Sequence, residues 1–203
     1  MNPARLAGAL RETWPECAGL GVLLAMLLPP LRHATEASMT AHMLVQFASL
    51  LLAGGLLVGG LPARWLQCLQ RWNELGIAGL VGSALTLAVL MVPRVLDLAL
   101  VDTRIESLKL VALVLSGASL RISWQRAGVV VQAFFLGNVL PMMVVAGTLY
   151  QDSATRVCNA YRLDDQQDLG LALVWIAAGV LALWLLRLGL QPSPSTARGS
   201  RSA

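Results

Sequence analysis

Charge is scarce in this chain: only 13% of its 203 residues are Asp, Glu, Lys or Arg, about half the share of soluble domains. Too few ionic groups are present to cover an ordinary soluble surface. Histidine is scarcer still. His33 and His42 are the only two, so a bis-histidine haem would need both, and they sit close in sequence rather than on separate spans. The three cysteines, Cys17, Cys68 and Cys158, have neither CxxC nor metal-finger spacing. GxSxG, HExxH, a Walker A loop and paired carboxylates inside a span are all missing, and with them the usual grounds for expecting an enzyme. Period-2 alternation is also missing, which argues against a transmembrane barrel.

Apolar residues are abundant, at 57% of the chain. They gather in blocks of roughly 17 to 25, the length that crosses a hydrocarbon core of about 30 Å. The blocks are apolar all round instead of striped. The expected fold is therefore all-α, a polytopic transmembrane helical bundle with six spans at about 14–31, 38–61, 75–92, 108–123, 127–150 and 169–190. Thr13 and Glu16 have capping-box spacing with Pro15 between them, which predicts a helix start there. Glu12 and Glu16 flank the first run, so a cleavable signal peptide is not expected. Residues 1–190 form one transmembrane domain, and the Pro- and Ser-rich stretch 191–203 reads as a disordered cytoplasmic tail.

With both termini cytoplasmic, the inner segments hold more basic residues than the outer ones, and the outer ones are matched by nearby acids. The formal net charge of +4 then belongs to the cytoplasmic face. Anionic membrane lipids account for it there, and no nucleic-acid partner is called for. "PARWLQCLQRWNEL" mixes tryptophans and leucines with Arg and Gln, the pattern of a helix lying on the membrane surface. "RVLDLALVDTRIESLK" does the same on the outer face. Gly55 and Gly59, with Gly76, Gly79 and Gly82, predict close packing of the second span on the third. Pro141 should kink the fifth span. Lys109 and Arg121 bracket the fourth and are expected to snorkel to opposite interfaces. Asp164, Asp165 and Asp168 open the sixth, where acids complement a helix dipole.

The most informative stretch is "MTAHMLVQ". Met39, His42, Met43 and Gln46 follow i, i+3, i+4, i+7 spacing and share one helix face. Under the expected orientation Met26, Met91, Met142 and Met143 also lie in the outer half, as do His33 and Cys158. Thioether and imidazole together suit copper(I). Candidate ligands are His42, Met39 and Met43, then His33, Met142 and Met143, with Gln46 and Asn138 lining the site. Methionine is equally an adaptable packing residue in apolar interiors, and that alternative stands beside the metal reading.

The order of motifs adds to this. A span opening "HMLVQ", a later "VPRVLD" loop, and "YRLDDQQDLGLALVWIAAG" leading into the last span resemble the polytopic CtaG-type cytochrome c oxidase assembly factors over about residues 38–185. The family opens one span with a histidine-and-glutamine motif, matched by His42 and Gln46. It carries an Asp-Gln pair before a final span, matched by Asp165 and Gln166, with Gly170 and Trp175 in the region of its G-x-x-x-W. Phe47 occupies the place of the family's second histidine, and family members are usually longer. The resemblance implies a shortened relative in the bacterial inner membrane that assists assembly or copper loading of a respiratory haem-copper oxidase. The alternative is a non-catalytic accessory subunit of a larger membrane complex. A small transporter is disfavoured, because no pair of broken spans repeats in the two halves.

Overall fold

The structure is a computed structural model that describes residues 3–158 and 161–190, with the backbone alone for residues 3–13 and 93. The tail 191–203 lies outside the described residues. All regular structure among them is helical. α1 spans Pro3–Leu27 and α2 Pro29–Glu36; a helix then enters through the π-helical turn Ala41–Gln46 and continues as α3, Phe47–Leu57. α4 (Ala63–Trp72), α5 (Ile77–Leu90), α6 (Pro93–Val101), α7 (Thr103–Arg126), α8 (Val129–Asp152) and α9 (Leu163–Gly189) follow.

Among the described residues, three helices are long and apolar enough to cross a membrane: Ala41–Gly60, Val129–Asp152 and Leu163–Gly189. The number rises to five if each of two bent pairs is one span. α1 and α2 meet at 74°, and α4 and α5 at 87°. The first bend falls where Leu28 turns extended ahead of Pro29, since a residue before proline is pushed out of the helical region. Pro29 and Pro30 therefore begin a second helix instead of only ending the first. The 14-residue α5 is short for a span. α7 is long enough but carries Arg104, Glu106, Lys109, Arg121 and Arg126, so the expected fourth span is the one furthest from a plain apolar rod.

The expected start at Thr13 is not a start, because α1 runs continuously through Pro15. α8 is a single helix with Pro141 inside it.

Packing corrects the glycine expectation. The second span does not lie against the third; α3 and α5 each pack against α7. A Cβ on Gly54 would strike the Val114 carbonyl, and one on Gly117 would strike that of Leu51. These reciprocal gaps let two backbones approach as only small residues permit. Gly79 faces the Ser119 and Ser123 hydroxyls of α7, and Gly147 and Gly170 make the matching contact between α8 and α9. Gly76, at φ 73°, supplies the left-handed turn between α4 and α5, where a side chain would also meet the Ser123 carbonyl.

Candidate functional site

The site forms where the π-helical turn crosses α7. In that turn the Phe47 N–H reaches back five residues to the His42 carbonyl. Such widened turns recur at functional sites inside helices. Met39, His42, Met43 and Gln46 are all buried, at 0%, 0%, 5% and 0% exposure. The shared face expected from their spacing is thus the face turned into the protein.

It meets charge there. Lys109 is 1% exposed and its ammonium lies against the turn instead of reaching an interface. Nζ is 2.9 Å from His42 Nε2 and donates to Gln46 Oε1 at 2.8 Å. It also stands 2.8 Å from Glu106 Oε2 and 5.9 Å from the centre of the Phe47 ring. Glu106 Oε1 lies 3.7 Å from Arg32 Nε, which itself donates to Glu36 Oε1 at 2.8 Å. Two cations and two carboxylates therefore run from the half-buried Arg32 and Glu36 inward to Lys109, and their charges balance. The Lys109–Glu106 contact has ion-pair distance without hydrogen-bond geometry. Both Glu106 oxygens and Gln46 Nε2 are buried without a hydrogen-bond partner among the described residues.

An ammonium has only donors. Lys109 therefore donates a hydrogen bond to His42 Nε2, which places the ring proton on Nδ1, facing Tyr161 Oη at 2.6 Å. Tyr161 sits just before α9 and is held there indirectly. Gln166, 2% exposed, donates to the Tyr150 carbonyl at 3.1 Å and accepts from the Val157 N–H at 2.8 Å. Thr40 Oγ1 donates to the Asp165 carbonyl at 3.3 Å, so Asp165 contributes backbone and not its carboxylate. Burial raises the Tyr161 hydroxyl above its ordinary range, with smaller contributions from Glu36, Cys158, Asp97 and Glu106. The Cys158 thiol is pushed up to about 11, by burial first and by Asp97 second.

The stretches around His42 and around Tyr161 to Gln166 thus meet in space, though more than a hundred residues separate them. Of the other expected residues, Met143 is partly buried against the core that holds Met26, Met39, Met43 and Cys158. Met91 packs against the same core. Met142 does not join it; it is 56% exposed and lines a groove on α8. Asn138 is exposed and donates to the Phe134 carbonyl of its own helix at 2.7 Å. His33 is exposed on α2, and both nitrogens of His42 are engaged by other residues, so the histidines are not paired. Among the described residues no three His, Cys, Asp or Glu side chains gather as a metal-binding set; the soft donors here are thioethers.

Lys109, Glu106 and Tyr161 are the residues sequence reasoning missed. The signal was present for two of them: a Glu–Lys pair three apart at the start of an apolar run is a functional hypothesis by default.

No family model, curated protein or solved structure matches the chain.

Proposed function

We propose that this is a non-enzymatic, six-span protein of the bacterial inner membrane, with both termini cytoplasmic, that handles copper(I) as cargo during assembly of a haem-copper respiratory oxidase. The observation that carries this reading is the gathering of soft donors. Met26, Met39, Met43 and Cys158 share one buried core, Met91 and Met143 pack against it, and His42 lies on the face of Met39 and Met43. Uncharged thioethers favour a soft monovalent ion and hold it without the strength of a thiolate cage, which suits delivery. With the ring proton on Nδ1, the lone pair free for copper is on Nε2, so His42 becomes a ligand only after Lys109 releases its hydrogen bond there. Lys109 then keeps Glu106 and Gln46 as partners. Tyr161 keeps the ring oriented through Nδ1.

The test is anaerobic copper(I) titration of purified protein against a competing chelator. Met39→Leu/Met43→Leu should weaken copper binding by about tenfold or more, since isosteric leucines keep the packing and remove the sulfurs. His42→Ala should weaken it less. If copper content and oxidase maturation are indifferent to both changes, the reading fails.

One observation favours an accessory subunit instead: only 11% of the apolar window of Val129–Asp152 is buried within the protein, leaving most of α8 available to another chain. Stable one-to-one co-purification with a membrane complex, without metal, would establish that reading.

A further inference from the structure

A long apolar groove of about 860 Å³ runs between α5 and α8. Ile77, Val81 and Leu85 line one wall, and Val130, Phe134 and Met142 the other. The two helices touch only lightly, so the groove separates the α8–α9 pair from the rest of the bundle. α5 has 14 residues, about 21 Å at ~1.5 Å per residue. That exceeds the roughly 15 Å of hydrocarbon in one leaflet.

At the Ile77 and Val130 end, polarity changes sharply. A smaller pocket of about 210 Å³ is lined there by Gln67, Gln70, Arg71, Glu74 and Arg126. Glu74 stands just ahead of Ile77 in the chain, and Arg126 ends α7 just before α8 begins at Val129, beside Val130, so pocket and groove share one end of the bundle. Arg126 Nη2 donates to Gln70 Oε1 at 2.8 Å, tying the end of α7 to α4. None of the ion pairs among the described residues involves Arg71, Glu74 or Arg126. Two guanidiniums and one carboxylate leave one positive charge to be balanced. The pocket's depth is set by α4. This helix stands at 87° to α5 and exposes Trp65, Leu69 and Trp72. With α5 upright, α4 lies along the interface, where tryptophan anchors at headgroup level.

We propose that pocket and groove together bind one glycerophospholipid of single net negative charge. Its phosphodiester lies between Arg71 and Arg126, whose planar forks match phosphate oxygens. Gln67, Gln70 and Glu74 take the hydroxyls of a headgroup such as phosphoglycerol. One acyl chain enters the groove and fills the space between α5 and α8. The lipid is then a wedge between two helix groups that the protein itself joins weakly.

Native mass spectrometry of delipidated, detergent-purified protein tests this, with phosphatidylglycerol and phosphatidylcholine of identical chains as probes. The wild type should retain phosphatidylglycerol by about tenfold or more over phosphatidylcholine, and Arg71→Gln/Arg126→Gln should abolish that preference. Ala84→Trp, which narrows the groove without touching a charge, should reduce retention of both lipids. Free glycerol phosphate should not displace the bound lipid. Equal retention of the two lipids, an unaltered preference in the double variant, or displacement by free glycerol phosphate would each overturn the proposal. Should Ala84→Trp fold poorly, Ala88→Leu on the same groove wall carries the acyl-chain test, with the same expected loss of both lipids.

Discussion

Helices Ala41–Gly60 and Val129–Asp152 are about equally apolar, yet 44% of the apolar stretch of the first and 11% of that of the second is buried in the protein. Hydropathy reports the solvent a helix can tolerate, not the neighbours it has. The difference lies in a few residues. The first helix turns His42 and Gln46 toward Lys109 and Glu106 and turns Gly54 toward the α7 backbone. The second helix carries Gly137 and Asn138 on open surface and meets one close partner, α9. A polar face with matched partners and a glycine facing a foreign carbonyl mark the helix that is enclosed.

The sharpest way to break this contrast is to unbalance the charges. Lys109→Met leaves Glu106 buried with only Arg32 nearby and should cost about 3–5 kcal/mol, whereas Lys109→Met/Glu106→Leu should recover most of it. Unfolding midpoints in detergent give the comparison; a harmless single variant would mean that this region is not a closed core. The next effect is steric. Gly117→Ala should cost about 1–3 kcal/mol through collision with the Leu51 carbonyl. Gly137→Ala on α8 should be neutral or slightly stabilising, by at most about 1 kcal/mol of helix propensity. Equal effects at the two glycines would erase the distinction between the helices. The smallest effect is chemical and needs no unfolding. With its thiol held at about 11, Cys158 stays protonated at pH 8 and its alkylation rises only as pH approaches that value. The exposed Cys17 and Cys68 should label first, and prompt labelling of all three would show that the core around Tyr161 opens readily.

The sequence made much of this legible. The apolar blocks at 127–150 and 169–190 became α8 and α9, and α9 begins at Leu163, six residues ahead of its apolar block, with Asp164 and Asp165 in the first turn as their fit to the helix dipole predicted. The spacing of Met39, His42, Met43 and Gln46 located one wall of the site, and the Asp165–Gln166 pair located the segment that closes it. The other wall was hidden for a physical reason. Whether a lysine near the end of a span snorkels or turns inward depends on what the neighbouring helix offers. The imidazole and amide that receive Lys109 come from more than sixty residues away. Glycine spacing pointed to the wrong residues on the second span: Gly55 makes only ordinary contact and Gly59 meets the Glu16 side chain, whereas the close approach is made by Gly54 of α3 and Gly117 of α7.

The π-helical turn has a bearing on how this span tolerates a change in length. A wide turn holds one residue more than the α-helix around it, so the segments before and after it are out of step by about 100°. Deleting a single residue there, such as the half-exposed Val45, would let the whole span wind as one regular α-helix. Met39 and His42 would then swing by about 100° relative to Phe47 and Leu50, and the imidazole would leave Lys109 while Gly54 kept its place on α7. One residue of length is thus the margin that aligns the chemistry of this helix with its packing.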